Sequence, residues 1–149
     1  MKAFTARTKF VAEHPPALAF YCSDGRFTEP VEELLHELGH ARLDTLTLPG
    51  GPGLLSMQTA KFGELDSARR AASFLIAGHG IRDVVLIAHA GCGYYRARMS
   101  GRAPAEIEKA QLADLDACTR ELRRAHPALV VHRFYARVVD GRIAFERIA

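Results

Sequence analysis

Two short, unbroken apolar stretches limit what this chain can fold into. Ala17 to Cys22 reads Ala-Leu-Ala-Phe-Tyr-Cys, and Asp83 to Ala88 reads Asp-Val-Val-Leu-Ile-Ala. Neither alternates polar with apolar residues, so neither suits a sheet with one face in water. Their length and their aromatic or β-branched content favour strands buried on both faces, the pattern of a parallel sheet.

The segments between and after them have helical periodicity. Thr28-Glu29-Pro30 opens a helix, with Thr28 as N-cap and proline in the first turn. Val31, Leu34, Leu35 and Leu38 share one face, and Gly39 ends it. Leu43 to Leu48 reads as a strand, after which Pro49-Gly50-Gly51-Pro52-Gly53 breaks regular structure. Leu54 to Ala77 is expected to be helical, with an interruption at Gly63 and a stripe of Leu65, Ala68, Ala72, Leu75 and Ile76. Tyr94 to Gly101 reads as a polar loop, and Pro104 to Ala125 as a long amphipathic helix with Ile107, Leu112, Leu115, Cys118 and Leu122 inward. Leu129 to Val139 and Arg142 to Ile148 are strands joined by the hairpin signal Asp140-Gly141. Residues 1–16, ending in Pro15-Pro16, read as an irregular arm.

The order β-α-β-α-β-α-β-β predicts a single α/β domain over residues 1–149. Its sheet is mainly parallel, of order 2-1-3-4, with an antiparallel C-terminal edge strand and flanking helices. Ligands of such sheets collect beyond the carboxyl ends of the strands, where strand order reverses. With 149 residues the chain can bury a core without staples. No apolar run approaches the ~20 residues of a membrane span, and the N-terminus has no apolar core of a secretory signal. The net charge of +3 is mild and the C-terminal arginines are interspersed with acids, so nucleic acid is not an expected partner. Three cysteines cannot all pair within one chain, and a reducing cytoplasm is the expected compartment.

Both apolar stretches end in soft metal ligands. Cys22 closes the first, and His89-Ala90-Gly91-Cys92 follows the second. If these strands are neighbours, Cys22, His89 and Cys92 converge at the switch point. Thiolate and imidazole are the donors zinc prefers, and three of them leave one position open for water, as a catalytic site requires. Asp24, two residues past Cys22, is placed to accept a hydrogen bond from that water. Arg26 can hold Asp24 ionised and oriented by a bidentate pair. The glycine loop at Gly50 and Gly51 lets backbone amides approach the site, and Tyr94 and Tyr95 are candidates to wall the cleft.

Cys22-x-Asp24-x-Arg26 followed by His89-x-x-Cys92-Gly93 resembles the signature of the β-class carbonic anhydrases, and the element order is similar from Ala17 to the C-terminal hairpin. The resemblance implies zinc on Cys22, His89 and Cys92, with Asp24 and Arg26 as the dyad beside the metal's water. It also implies reversible hydration of carbon dioxide to bicarbonate by a homodimer or larger homo-oligomer. Some members of that family rest closed, with the dyad Asp in the fourth zinc position. The chain departs from the family's usual pattern in carrying Leu48-Pro49-Gly50-Gly51 after the second strand, Ala90 and Gly91 between His and Cys, and no Gln before Cys22.

Other uses of the same residues compete. The zinc site could serve another small heterocumulene, carbon disulfide or carbonyl sulfide, or belong to a catalytically silent zinc protein with a binding role. Cys22 as a thiol nucleophile lacks the Cys-x5-Arg spacing of thiol phosphatases, since that position is Thr28. A Cys22–Cys92 redox disulfide fits the neighbouring His less well than a metal does. Cys118 reads as core, His36, His40 and His126 as surface or helix-end residues, and His79 as a structural residue at a helix end, while His132 has no assigned role.

Overall fold

The two apolar stretches are the paired central strands of one sheet. The structure, a computed structural model, describes residues 3–56 and 58–149. Its elements in chain order are β1 (Ala17–Cys22), α1 (Thr28–Glu37), β2 (Asp44–Leu48), α2 (Phe62–His79), β3 (Asp83–His89), α3 (Gly93–Arg98), α4 (Pro104–Ala125), β4 (Val130–Val139) and β5 (Arg142–Arg147). They form a single α/β domain whose five-stranded sheet has the order β2-β1-β3-β4-β5. The first four strands run parallel and β5 returns antiparallel to β4. This is the expected order, with the expected antiparallel edge.

Burial on both faces explains the unbroken apolar sequences. Every residue of β1 is buried, as is all of β3 after Asp83. On one face Leu18, Phe20, Val84, Leu86 and Ala88 pack against Ala68, Ala72 and Ile76 of α2 and Leu115, Cys118 and Leu122 of α4. On the other, Ala17, Ala19, Tyr21, Val85 and Ile87 meet Phe27 and, from α1, Val31 and Leu35. Cys118 is fully buried in this core, and burial pushes its thiol pKa up. Each large apolar side chain in these layers contributes about 1.5–3 kcal/mol by leaving water.

Three local expectations change. Helix α2 begins at Phe62, not Leu54, because Gly51–Leu55 forms a buried 3-10 turn that plugs the sheet below α4. Tyr94 onward is the helix α3, not a polar loop: Gly93 is its first residue, so the glycine starts a helix instead of breaking one. Thr28 is the first residue of α1, whose cap residue Phe27 offers no side-chain bond. The capping side chain in this turn is Asp24, which accepts from the Arg26 amide at 3.1 Å. Met1 and Lys2 of the expected arm, and Met57 of the expected helix, lie outside the described residues. His79 serves the structure as expected, with Nδ1 2.6 Å from the Asp44 carboxylate at the start of β2.

The glycine loop after β2 is dictated by close approach. Gly51 has φ +52°, and a Cβ there would lie 2.7 Å from the Cys22 nitrogen and the Tyr21 carbonyl carbon. A Cβ at Gly50 (φ +87°) would overlap the Tyr94 ring, and one at Gly53 the Tyr95 hydroxyl. The loop thus seals the end of β1 against α3. Gly51→Ala should lower stability by about 2–4 kcal/mol through positive-φ strain and backbone overlap, read as the midpoint shift in urea unfolding. An unchanged midpoint would show that the loop does not pack as described.

Candidate metal centre

The ladder between β1 and β3 ends at Phe20↔Leu86, before either strand does. Ser23 then turns away, its amide donating to the Leu48 carbonyl of β2 at 3.1 Å. The expected ligands meet at this switch point. One donor atom from each of Cys22, His89 and Cys92 lies within 4.8 Å of the others, all three residues being buried. The two sulfurs are 3.9 Å apart.

The orientation of the His89 ring follows from its neighbours. Its Nδ1 lies 2.9 Å from the Ala90 carbonyl oxygen, which can only accept, so Nδ1 carries the proton. Nε2, the nitrogen that carries the lone pair in the neutral ring, is buried and has no hydrogen-bond partner among the described residues. The ring is held at a centroid distance of 4.3 Å from Phe27. A buried acceptor with no donor is costly unless something electrophilic sits before it.

The sulfurs pose the same problem. The Cys22 thiol is held well below its ordinary range, first by the hydrogen bond from the Cys92 thiol, with smaller help from His89 and the backbone amides of Gly50 and Asp24. Cys92 is raised, first by its bond to the Cys22 sulfur and then by burial. The pair therefore releases one proton readily and holds the second, because two adjacent buried thiolates repel. A bound cation removes that repulsion and engages the His89 lone pair. The donor set of two sulfurs and one imidazole nitrogen fits zinc.

Beside this cluster, Asp24 and Arg26 form the expected pair. The Arg26 Nε donates to Oδ1 at 2.9 Å and Nη2 to Oδ2 at 2.5 Å, a bidentate geometry. This hydrogen bonding is the main cause that lowers Asp24 to about 2, so the carboxylate is ionised throughout the neutral range. The Arg26 side chain is 79% exposed and that of Asp24 23%, so the pair reaches the surface beside the buried cluster.

Of the other expected site residues, the Gly50 amide favours the Cys22 thiolate, while Gly51 packs on the β1 backbone. Tyr94 is half-buried with its hydroxyl donating to Glu64 at 3.2 Å. Tyr95 is buried and donates to Asp114 Oδ2 at 2.6 Å, an oxygen that also accepts from Thr59 at 2.5 Å. Burial, then the Asp114 carboxylate, pushes the Tyr95 pKa up. The sequence reading missed the inward polar residues of α4, Gln111 and Asp114, each 1% exposed. Their signal was helical spacing: they fall four and seven residues after Ile107, on a mainly apolar stripe that also buries Thr119.

A family model described as "Putative carbonic anhydrase" matches residues 12–146. No curated protein matches the chain by sequence. Among solved structures, the fold is similar to tetrameric β-carbonic anhydrases of Sordaria macrospora, with TM-score 0.58 and 14% identity over 93% of this chain and 84% of that one. It is similar to β-carbonic anhydrase isoform I of Trichomonas vaginalis, with TM-score 0.55 and 17% identity over 94% and 87%. A Coccomyxa β-carbonic anhydrase in complex with acetazolamide gives TM-score 0.55 and 13% identity over 91% and 74%. At these identities the structural likeness is one of fold, and the family match spans nearly the whole chain. The chain belongs to the family of proteins described as putative carbonic anhydrases.

Proposed function

We propose that this protein binds zinc through Cys22, His89 and Cys92 and catalyses the reversible hydration of carbon dioxide to bicarbonate. The observation that carries the reading is the buried convergence of two thiols and an imidazole Nε2 with no partner among the described residues, with the ion-paired Asp24 two residues from Cys22. Family membership supports the same chemistry.

When bound, zinc supplies the Lewis acidity that ionises water near neutral pH. The protein's part is orientation. Arg26 keeps the Asp24 carboxylate anionic and fixed, so that it accepts the remaining hydrogen of the nucleophilic oxygen and directs a lone pair at the carbon of carbon dioxide. Carbon–oxygen bond formation yields bicarbonate, and the proton released from water passes to the solvent. Gly50, Gly51 and Tyr94 are assigned to the substrate pocket wall, and Tyr95 to its support. The working form is proposed to be a homodimer or larger homo-oligomer. The Sordaria relatives are tetrameric, and in this chain Phe4 and Phe10 of the N-terminal segment are each 91% exposed. No described helix is long and apolar enough to cross a membrane, and the cytoplasm is the proposed location.

Purified protein should carry about one zinc per chain, and Cys22→Ser should lose both metal and activity, as read by elemental analysis; metal-free, carefully reduced protein would sink the reading. Stopped-flow hydration of carbon dioxide should rise through an apparent pKa of ~7 and fall by about 10²-fold or more in Asp24→Asn with zinc retained. Zinc-loaded protein that hydrates no carbon dioxide at any pH would transfer the site to carbon disulfide, carbonyl sulfide or a silent binding role. Sedimentation should show a dimer or larger species; a monodisperse monomer contradicts the assembly.

A further inference from the structure

We infer that Gln111, together with Tyr135, is a positioning element for His89 and sets the metal affinity of the centre. The inference rests on the proposed metal reading of Cys22, His89 and Cys92. It concerns residues outside the signature, on α4 and β4.

His89 lies past the last β1–β3 pair, and its carbonyl oxygen accepts from Gln111 Nε2 at 2.9 Å. A carbonyl only accepts, so the amide of Gln111 must present its NH2 to His89, and its Oε1 then accepts the Tyr135 hydroxyl at 2.8 Å. The orientation of this buried side chain is therefore forced. The flanking residues Ile107 and Leu115, one helical turn to either side, are both buried, so Gln111 lies on the inward face of α4.

The consequence falls on the 89–90 peptide. Gln111 holds its carbonyl, and its N–H donates to the Ala136 carbonyl of β4 at 2.9 Å. The next carbonyl, that of Ala90, takes the His89 Nδ1 proton. Held at both its carbonyl and its N–H, this peptide fixes where the His89 side chain leaves the backbone and so supports the direction of Nε2. Tyr135 is itself braced: the Arg137 guanidinium lies 4.5 Å from its ring centroid and pairs with Glu108 of α4 at 2.5 Å. The chain of contacts runs from a surface ion pair through Tyr135 and Gln111 to the ligand. Loss of such an outer partner typically costs about 10–100-fold in metal affinity.

The test compares zinc-loaded parent protein with Gln111→Met, Tyr135→Phe and the core control Leu115→Ala. Zinc affinity is read by chelator competition, and ligand geometry by the visible spectrum of the cobalt-substituted protein. Gln111→Met should bind zinc about 10–100-fold more weakly and shift the cobalt bands. Leu115→Ala should lose stability yet keep both signals. Tyr135→Phe, which loosens Gln111 without removing it, should fall between them and decides the matter if Gln111→Met fails to fold. Affinity and spectrum unchanged in the Gln111 and Tyr135 variants, or changed equally in Leu115→Ala, would overturn the inference. Failure of the parent to take zinc would overturn the metal reading and this inference with it; parent and variants then fail alike, which separates the two cases.

Discussion

The early end of the β1–β3 ladder is the constraint on which the site depends. While the strands pair, their side chains are committed to the two cores. Past Phe20 and Leu86, β1 stays paired only with β2 and β3 only with β4, and three donor groups meet in one small volume at that point. Strand parity would send Cys22 towards α2 and α4, and His89 towards α1. Only beyond the last ladder rung can side chains from opposite faces converge on one point. The site is a property of the sheet's carboxyl edge, as α/β topology leads one to expect.

Convergence creates a debt of unsatisfied groups. Two close sulfurs resist carrying two negative charges, and the His89 Nε2 has no donor. Around them the chain is over-determined. The glycine loop presses against the end of β1 and against Tyr94, Tyr95 is bonded to Asp114, and Gln111 holds the His89 carbonyl. Rigid surroundings with a frustrated centre are what a site preorganised for a cation requires. The Asp24–Arg26 pair differs in kind. It is local, two residues apart and partly exposed, and its strength comes from bidentate geometry instead of burial.

Much of this was legible in the sequence, for identifiable reasons. β1 and α4 have the expected bounds, Ala17–Cys22 and Pro104–Ala125, because an unbroken apolar run and a proline-started amphipathic stretch each have one physical solution. The ligand cluster was legible because cysteine and histidine stand where two such runs stop. The helix α3 was not, since Gly93 reads as a turn residue and the helix owes its existence to Tyr95 packing beneath it. The 3-10 turn at Gly51–Leu55 was hidden because its apolar residues continue the stripe of the following helix. Gln111 was overlooked because a polar residue on an apolar stripe looks like a defect until the partner it serves, 22 residues away in sequence, is placed beside it.

The proposed chemistry turns on Cys22, His89 and Cys92 forming one preorganised zinc site. X-ray absorption at the zinc edge of the purified protein tests it most directly, because the spectrum reports donor type and distance independently of catalysis. The expected spectrum is that of a four-coordinate shell with two sulfurs at about 2.3 Å and one imidazole nitrogen at about 2.0–2.1 Å, completed by one oxygen. A shell without sulfur, or with only one, would contradict it.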